Sequence, residues 1–263
     1  MSSGRSCFCG FLCCGFNAMN HHSDNHSKHI QIQNLTVAYG PTIALENISG
    51  TIKPNALMAL FGPNGGGKST FVSVLASLMK PTSGTITHQC RTTCSPAYLP
   101  QQSSMHRHFP ITVREAIAMG LWLQTGPFRA ITREQQEKID QALERVGLQS
   151  YDNRLIGTLS GGQFQRMLFA RIILEDSSLI ILDEPFTAID LQTSETLLQL
   201  IQEWHKIGKT ILVVLHDLEM ARRYFDEAIL LSRTCIGWGK TGDVLTDQNI
   251  LKAYANSLKV AHA

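Results

Sequence analysis

A chain of 263 residues with 43% hydrophobic and 17% charged side chains has the make-up of a folded protein, one large domain or one domain with a subdomain, and not of a disordered one. A formal charge of +2 excludes the strongly basic field of a nucleic-acid binder, and no apolar run approaches the roughly 20 residues that span a bilayer. Seven cysteines, an odd number and scattered, exclude a secreted disulfide framework and point to a reducing compartment.

Residues 1–29 read as a disordered leader rich in cysteine (Cys7, Cys9, Cys13, Cys14) and histidine (His21, His22, His26, His29). No carboxylate cage accompanies the histidines, so a solvated segment is expected there and not a metal site. A start at Met19 is an alternative reading. "IQIQNLTVAYG" then alternates apolar and polar residues, as a half-buried strand does, and Gly40-Pro41 marks a turn into "ALENISGTI". "ALMALFG" is a short continuous apolar run typical of a central strand. A glycine-rich loop follows, then "FVSVLASLM" with helical spacing, closed by Lys80-Pro81. Cys90 and Cys94 near His88 do not reach the four organised ligands of a zinc site.

Residues 112–160 read as helical, and "TREQQEKIDQALERVGL" sets Ile139, Leu143 and Val146 opposite a charged face. "LSGGQFQRMLFARIIL" opens a further helix. "SLIILDEP" (strand), "TSETLLQLIQEWHKIG" (capped amphipathic helix) and "TILVVLHD" (strand) restore the alternation. That alternation predicts an α/β fold with a mainly parallel sheet, its chemistry at the carboxyl ends of the strands.

"GPNGGGKST" (Gly62, Pro63, Asn64, Gly65, Gly66, Gly67, Lys68, Ser69, Thr70) fits the phosphate-loop pattern. Glycines let successive N–H groups curl around phosphate oxygens, and the helix N-terminus adds partial positive charge. Lys68 is suited to the β- and γ-phosphates of ATP, and the Ser69 hydroxyl to Mg²⁺. At the end of "LIILDEP", Asp183 can hold Mg²⁺, and Glu184 is placed to act as general base on an attacking water.

Phosphate loop, "LSGGQ" (159–163), "LIILDEP" and "LHD", in this order, resemble the ATP-binding-cassette ATPases from about Ile30 to Tyr254. The resemblance implies a P-loop NTPase with a RecA-like mixed-sheet core, an antiparallel β region and an inserted helical subdomain at about 103–164, with a tail at 255–263. It also implies a head-to-tail homodimer. In it Ser160, Gly161, Gly162 and Gln163 of one copy, with Asp190 of "TAID", would meet the nucleotide held by the partner's Lys68. Tyr39 matches the aromatic that stacks on adenine. Gln101 matches the glutamine that reaches Mg²⁺ and the attacking water, with Gln102 as its neighbouring competitor, and His216 the histidine that contacts the γ-phosphate. Phe164 departs from the pattern, since polar residues are common after the signature glutamine.

A single cassette without a membrane span resembles the detachable ATPase of an importer built from separate subunits. "YLPQQSSMHRHFPITVREAIAMGL" and "GDVLTDQNILKAY" resemble zinc- and manganese-uptake ATPases. The resemblance implies polytopic permease subunits, an extracytoplasmic metal-binding protein and a place at the cytoplasmic face of the cell membrane. An iron-chelate or haem importer, and a non-transport ATPase remodelling a soluble complex, are the alternatives.

Overall fold

The computed structural model describes residues 29–88, 95–101, 107–126 and 130–261. Residues 1–28, with the leader cysteines and His21, His22 and His26, lie outside the described residues, as do Cys90, Cys94 and Gln102.

Two sheets organise the chain. β1 (Ile30–Tyr39) pairs antiparallel with β2 (Thr42–Ile52) on one side and with β4 (Ser83–His88) on the other. The larger sheet has the order β5-β6-β7-β3-β8-β9, built from β3 (Leu57–Phe61), β5 (Ala97–Leu99), β6 (Leu179–Asp183), β7 (Thr210–Val214), β8 (Glu227–Ser232) and β9 (Thr234–Lys240). Among the described residues its pairings are parallel except β8 with β9, which form an antiparallel hairpin. Every residue of β3, β6 and β7 is buried, which explains their unbroken apolar runs: both faces of the sheet are covered.

The pleat divides those side chains between two cores. Leu57, Ala59, Ile180, Leu182, Ile211 and Val213 face α5 (Gly161–Glu175) and α6 (Leu191–Lys206), where Phe169 and Trp204 stack at 5.6 Å. Met58, Leu60, Ile181, Leu212 and Val214 face the smaller sheet and α1 (Lys68–Leu75), which contributes Phe71, Val72 and Leu75. The phosphate-loop helix is thus gripped between the sheets. Each of the Leu, Ile, Val, Met and Phe side chains among these stabilises the fold by about 1.5–3 kcal/mol through burial.

Between β5 and α5 lie α2 (Val113–Ala118), α3 (Trp122–Thr125) and α4 (Arg133–Arg145), and α2 and α4 pack on α5. Reciprocal caps start three of these helices: Thr112 with Glu115, Thr132 with Gln135, and Ser160 with Gln163. The helix expected from Thr193 begins earlier, at Leu191, because Asp190 caps it through the Thr193 amide at 2.8 Å. α7 (Leu218–Tyr224), α8 (Thr241–Val244) and α9 (Asp247–Ala261) complete the chain, and α9 continues as helix through much of the segment expected as a tail. No helix among the described residues is long and apolar enough to cross a membrane.

Candidate functional site

β3 ends at Phe61 and the loop that follows wraps the start of α1. Gly62, Gly65 and Gly67 hold φ of 153°, 74° and 91°, which L side chains rarely adopt. At Gly67 a methyl group would also lie 2.5 Å from Leu45 Cδ2 and 2.6 Å from the Ala44 carbonyl oxygen. The loop is pinned from outside by the β8–β9 hairpin, whose Arg233 amide donates to the Gly66 carbonyl at 2.9 Å. Lys68 is 6% exposed, and its Nζ donates to the carbonyls of Gly62 (2.9 Å) and Pro63 (3.1 Å). Burial lowers its pKa, opposed by the nearby Glu184 and Asp183 carboxylates.

β6 delivers the acids. Asp183 is 4% exposed, and its pKa is pushed up to about 6, first by burial and then by repulsion from Glu184. The nearby Lys68 ammonium, then the His216 ring and a hydrogen bond from the Ser69 hydroxyl, work the other way. Asp183 Oδ1 is buried without a hydrogen-bond partner among the described residues. A desolvated, unpaired carboxylate oxygen beside a serine hydroxyl is the hard-oxygen donor set that suits Mg²⁺.

Glu184, next along, has φ of 52° although it precedes proline, a conformation that costs about 1–3 kcal/mol and marks functional sites. The turn aims its carboxylate into a cluster. His216 Nε2 donates to Oε1 at 2.5 Å, while Gln101 Nε2 (2.8 Å) and the Thr187 hydroxyl (3.4 Å) donate to Oε2. Gln101 follows β5 and His216 follows β7, so three adjacent parallel strands each bring one member to the same end of the sheet. A cavity of about 370 Å³ opens beside Glu184, His216 and Thr187.

Tyr39 ends β1, half exposed, with its hydroxyl 3.5 Å from Thr70 Oγ1 and 3.3 Å from Met79 Sδ, so the ring leans over the start of α1. Ser160, Gly161, Gly162 and Gln163 form a separate group. Ser160 and Gln163 cap each other's backbone, and Gly162 leaves room for the Asp190 and Thr193 side chains, which a methyl group would approach to 3.2 and 3.1 Å. Asp190 accepts from the amide and hydroxyl of Thr193, which together hold its carboxyl below the usual range.

The structure adds residues that the motifs do not name. Tyr98 on β5 hydrogen-bonds Asp183, and burial, more than that carboxylate, pushes its phenol up to about 12. Thr187 and Thr193 hold Glu184 and Asp190. For Thr193 a signal existed, because it stands three residues after a capping aspartate. Phe164, the departure in the signature, is 1% exposed and belongs to the helical core.

Residues 45–187 match the profile of the ABC transporter family. The chain is 35% identical over 233 residues to the manganese transport system ATP-binding protein MntB of Halalkalibacterium halodurans, covering 87% of this chain and 93% of that protein. It is 33% identical over 228 residues to the manganese transport system ATP-binding protein MntA of Synechocystis sp., covering 84% and 88%. Among solved structures, it resembles an inward-facing ABC transporter assigned to the metal-chelate type, with a TM-score of 0.77 and 26% identity over 87% of this chain and 89% of that one. A dimeric bacterial ABC transporter cassette gives 0.72 and 26% over 81% and 98%. With the phosphate loop, the strand-end acids and this similarity along most of its length, the chain belongs to the ABC transporter family, as an ATP-hydrolysing cassette.

Proposed function

We propose that this chain energises the uptake of a divalent metal ion, manganese before zinc, from the cytoplasmic face of the cell membrane through polytopic permease subunits supplied by an extracytoplasmic metal-binding protein. One geometric observation carries the catalytic half: the Glu184 carboxylate is held between Gln101 and His216, beside Asp183 and Lys68. The cargo half is supported by relatives that are named manganese transport ATP-binding proteins.

The phosphate-loop amides and Lys68 take the β- and γ-phosphates of ATP, Lys68 exchanging loop carbonyls for phosphate oxygens. Tyr39 offers its ring face to adenine. Glu184 draws a proton from the attacking water, and the donors Gln101 and His216 fix that carboxylate and the water in line with the phosphate. Ser69, Asp183 and Gln101 would hold Mg²⁺, which when bound neutralises charge developing on the phosphate oxygens. A second copy contributes Ser160, Gly161, Gly162, Gln163 and Asp190 across a head-to-tail homodimer.

Uptake by cells lacking the gene, followed separately with manganese, zinc and chelated iron, tests the cargo. Loss of manganese uptake, with chelated iron unaffected, is expected. Loss confined to chelated iron or haem would move the chain to that class of importer, and unchanged uptake of all three would overturn the transport reading while leaving ATP hydrolysis intact.

A further inference from the structure

Phe164 stands immediately after the signature residues, in the first turn of α5, and its amide closes that turn on the Ser160 carbonyl at 2.9 Å. Its ring is covered by a cation: the Arg107 guanidinium lies 4.4 Å from the ring centroid. Arg107 belongs to the stretch between Gln101 and α2, and its own carbonyl oxygen would sit 3.0 Å from a methyl group added at Gly157, just ahead of the signature. Backbone hydrogen bonds stitch the same two segments together. Ile156 donates to Ile111 at 3.0 Å, Val113 to Arg154 at 2.9 Å, and Thr112 bridges Leu155.

We propose that Arg107 is a positioning residue for ATP hydrolysis: by stacking on Phe164 it holds the first turn of α5, and with it the signature residues, in fixed relation to the segment that runs from Arg107 into α2. The proposal rests on the ATPase reading above. An aromatic face at 164 attracts a guanidinium, whereas the polar side chains common at this position have no such quadrupole. The backbone stitching sets the path of the two segments. The Arg107–Phe164 stack adds a side-chain contact in the turn that Ser160 caps, where a small misplacement of phosphate-facing groups is costly.

The test uses the purified full-length chain carrying Arg107→Gln, Arg107→Lys, Phe164→Leu, or Arg107→Gln with Phe164→Leu. Arg107→Gln is expected to lower kcat about five-fold. It should leave thermal stability and the affinity for a fluorescent ATP analogue unchanged, because the phosphate loop of the same copy is untouched. Arg107→Lys should recover most of the loss, and the double variant should be no slower than the worse single one. Wild-type kcat in Arg107→Gln, losses that multiply in the double variant, or weakened nucleotide binding that parallels kcat would each overturn the proposal. Arg107 is half-buried and its replacement opens no core void, so the Gln–Lys comparison decides even if Phe164→Leu fails to fold. A wild-type chain without ATPase activity would instead overturn the underlying reading.

Discussion

Asp183 is dehydrated by its surroundings and crowded by Glu184, and its carboxyl titrates near pH 6 in the folded chain against about 3.8 unfolded. The folded state therefore binds the extra proton between those values, and stability falls as pH rises through that window. In protein free of nucleotide and metal, Asp183→Asn should raise the thermal midpoint above about pH 6, by the equivalent of about 2–3 kcal/mol, with the advantage fading below about pH 4. Thermal melts across pH check this, and a constant difference at all pH values would refute it. The same variant should lose ATP hydrolysis. Asp183 and Glu184 were legible in the sequence because they end an apolar strand downstream of a phosphate loop; two acids at a strand end say little on their own. Tyr98 was not: it reaches Asp183 only because β5 pairs with β6, with Tyr98 opposite Ile181, and no local pattern encodes that register.

At the level of elements, the phosphate loop is specified by backbone conformation and by close approach. Gly67→Ala places a methyl group against both Leu45 and the Ala44 carbonyl at a φ of 91°. Nucleotide affinity should fall at least about ten-fold, with strain of roughly 1–3 kcal/mol, measured by analogue binding and melting. Gly65→Ala meets open space, so its penalty should come from φ alone and be smaller. β1, β3, α1, α5, β6 and β7 were readable because apolar period or run length matches their burial on one or two faces. β4 has no buried residue and no apolar run to signal it, and β5 is only three residues long. β9 is partly covered along most of its length and broken by glycines, Gly237 opposite Leu230 and Gly239 opposite Ala228 across the hairpin. Such elements exist through their partners, and the sequence of the element alone carries little of that.

For the whole molecule, the proposed head-to-tail pairing, with the signature residues of one copy at the nucleotide of the other, would link turnover to association. Glu184→Gln keeps the length of the side chain and one of its two acceptor oxygens, turns the other into an amide donor, and removes the base. With Mg²⁺–ATP it should sediment as a dimer and turn over at least about 10²-fold slower than wild type. Near-normal turnover would exclude Glu184 as the base, and a monomer under saturating ATP would exclude the paired arrangement. The proposed head-to-tail pairing rests on family resemblance, since within one chain Ser160 and Gln163 satisfy each other as an ordinary helix cap. Arg233, which pins Gly66, lies 167 positions after it in the chain (233 − 66). The motif that grips phosphate is written early in the chain, yet its outer brace, and β8 beside β3, are translated near the end. On the ribosome the nascent cassette thus carries its most recognisable motif long before it can use it, and a chain released ahead of residue 233 should have the letters of an ATPase without its grip.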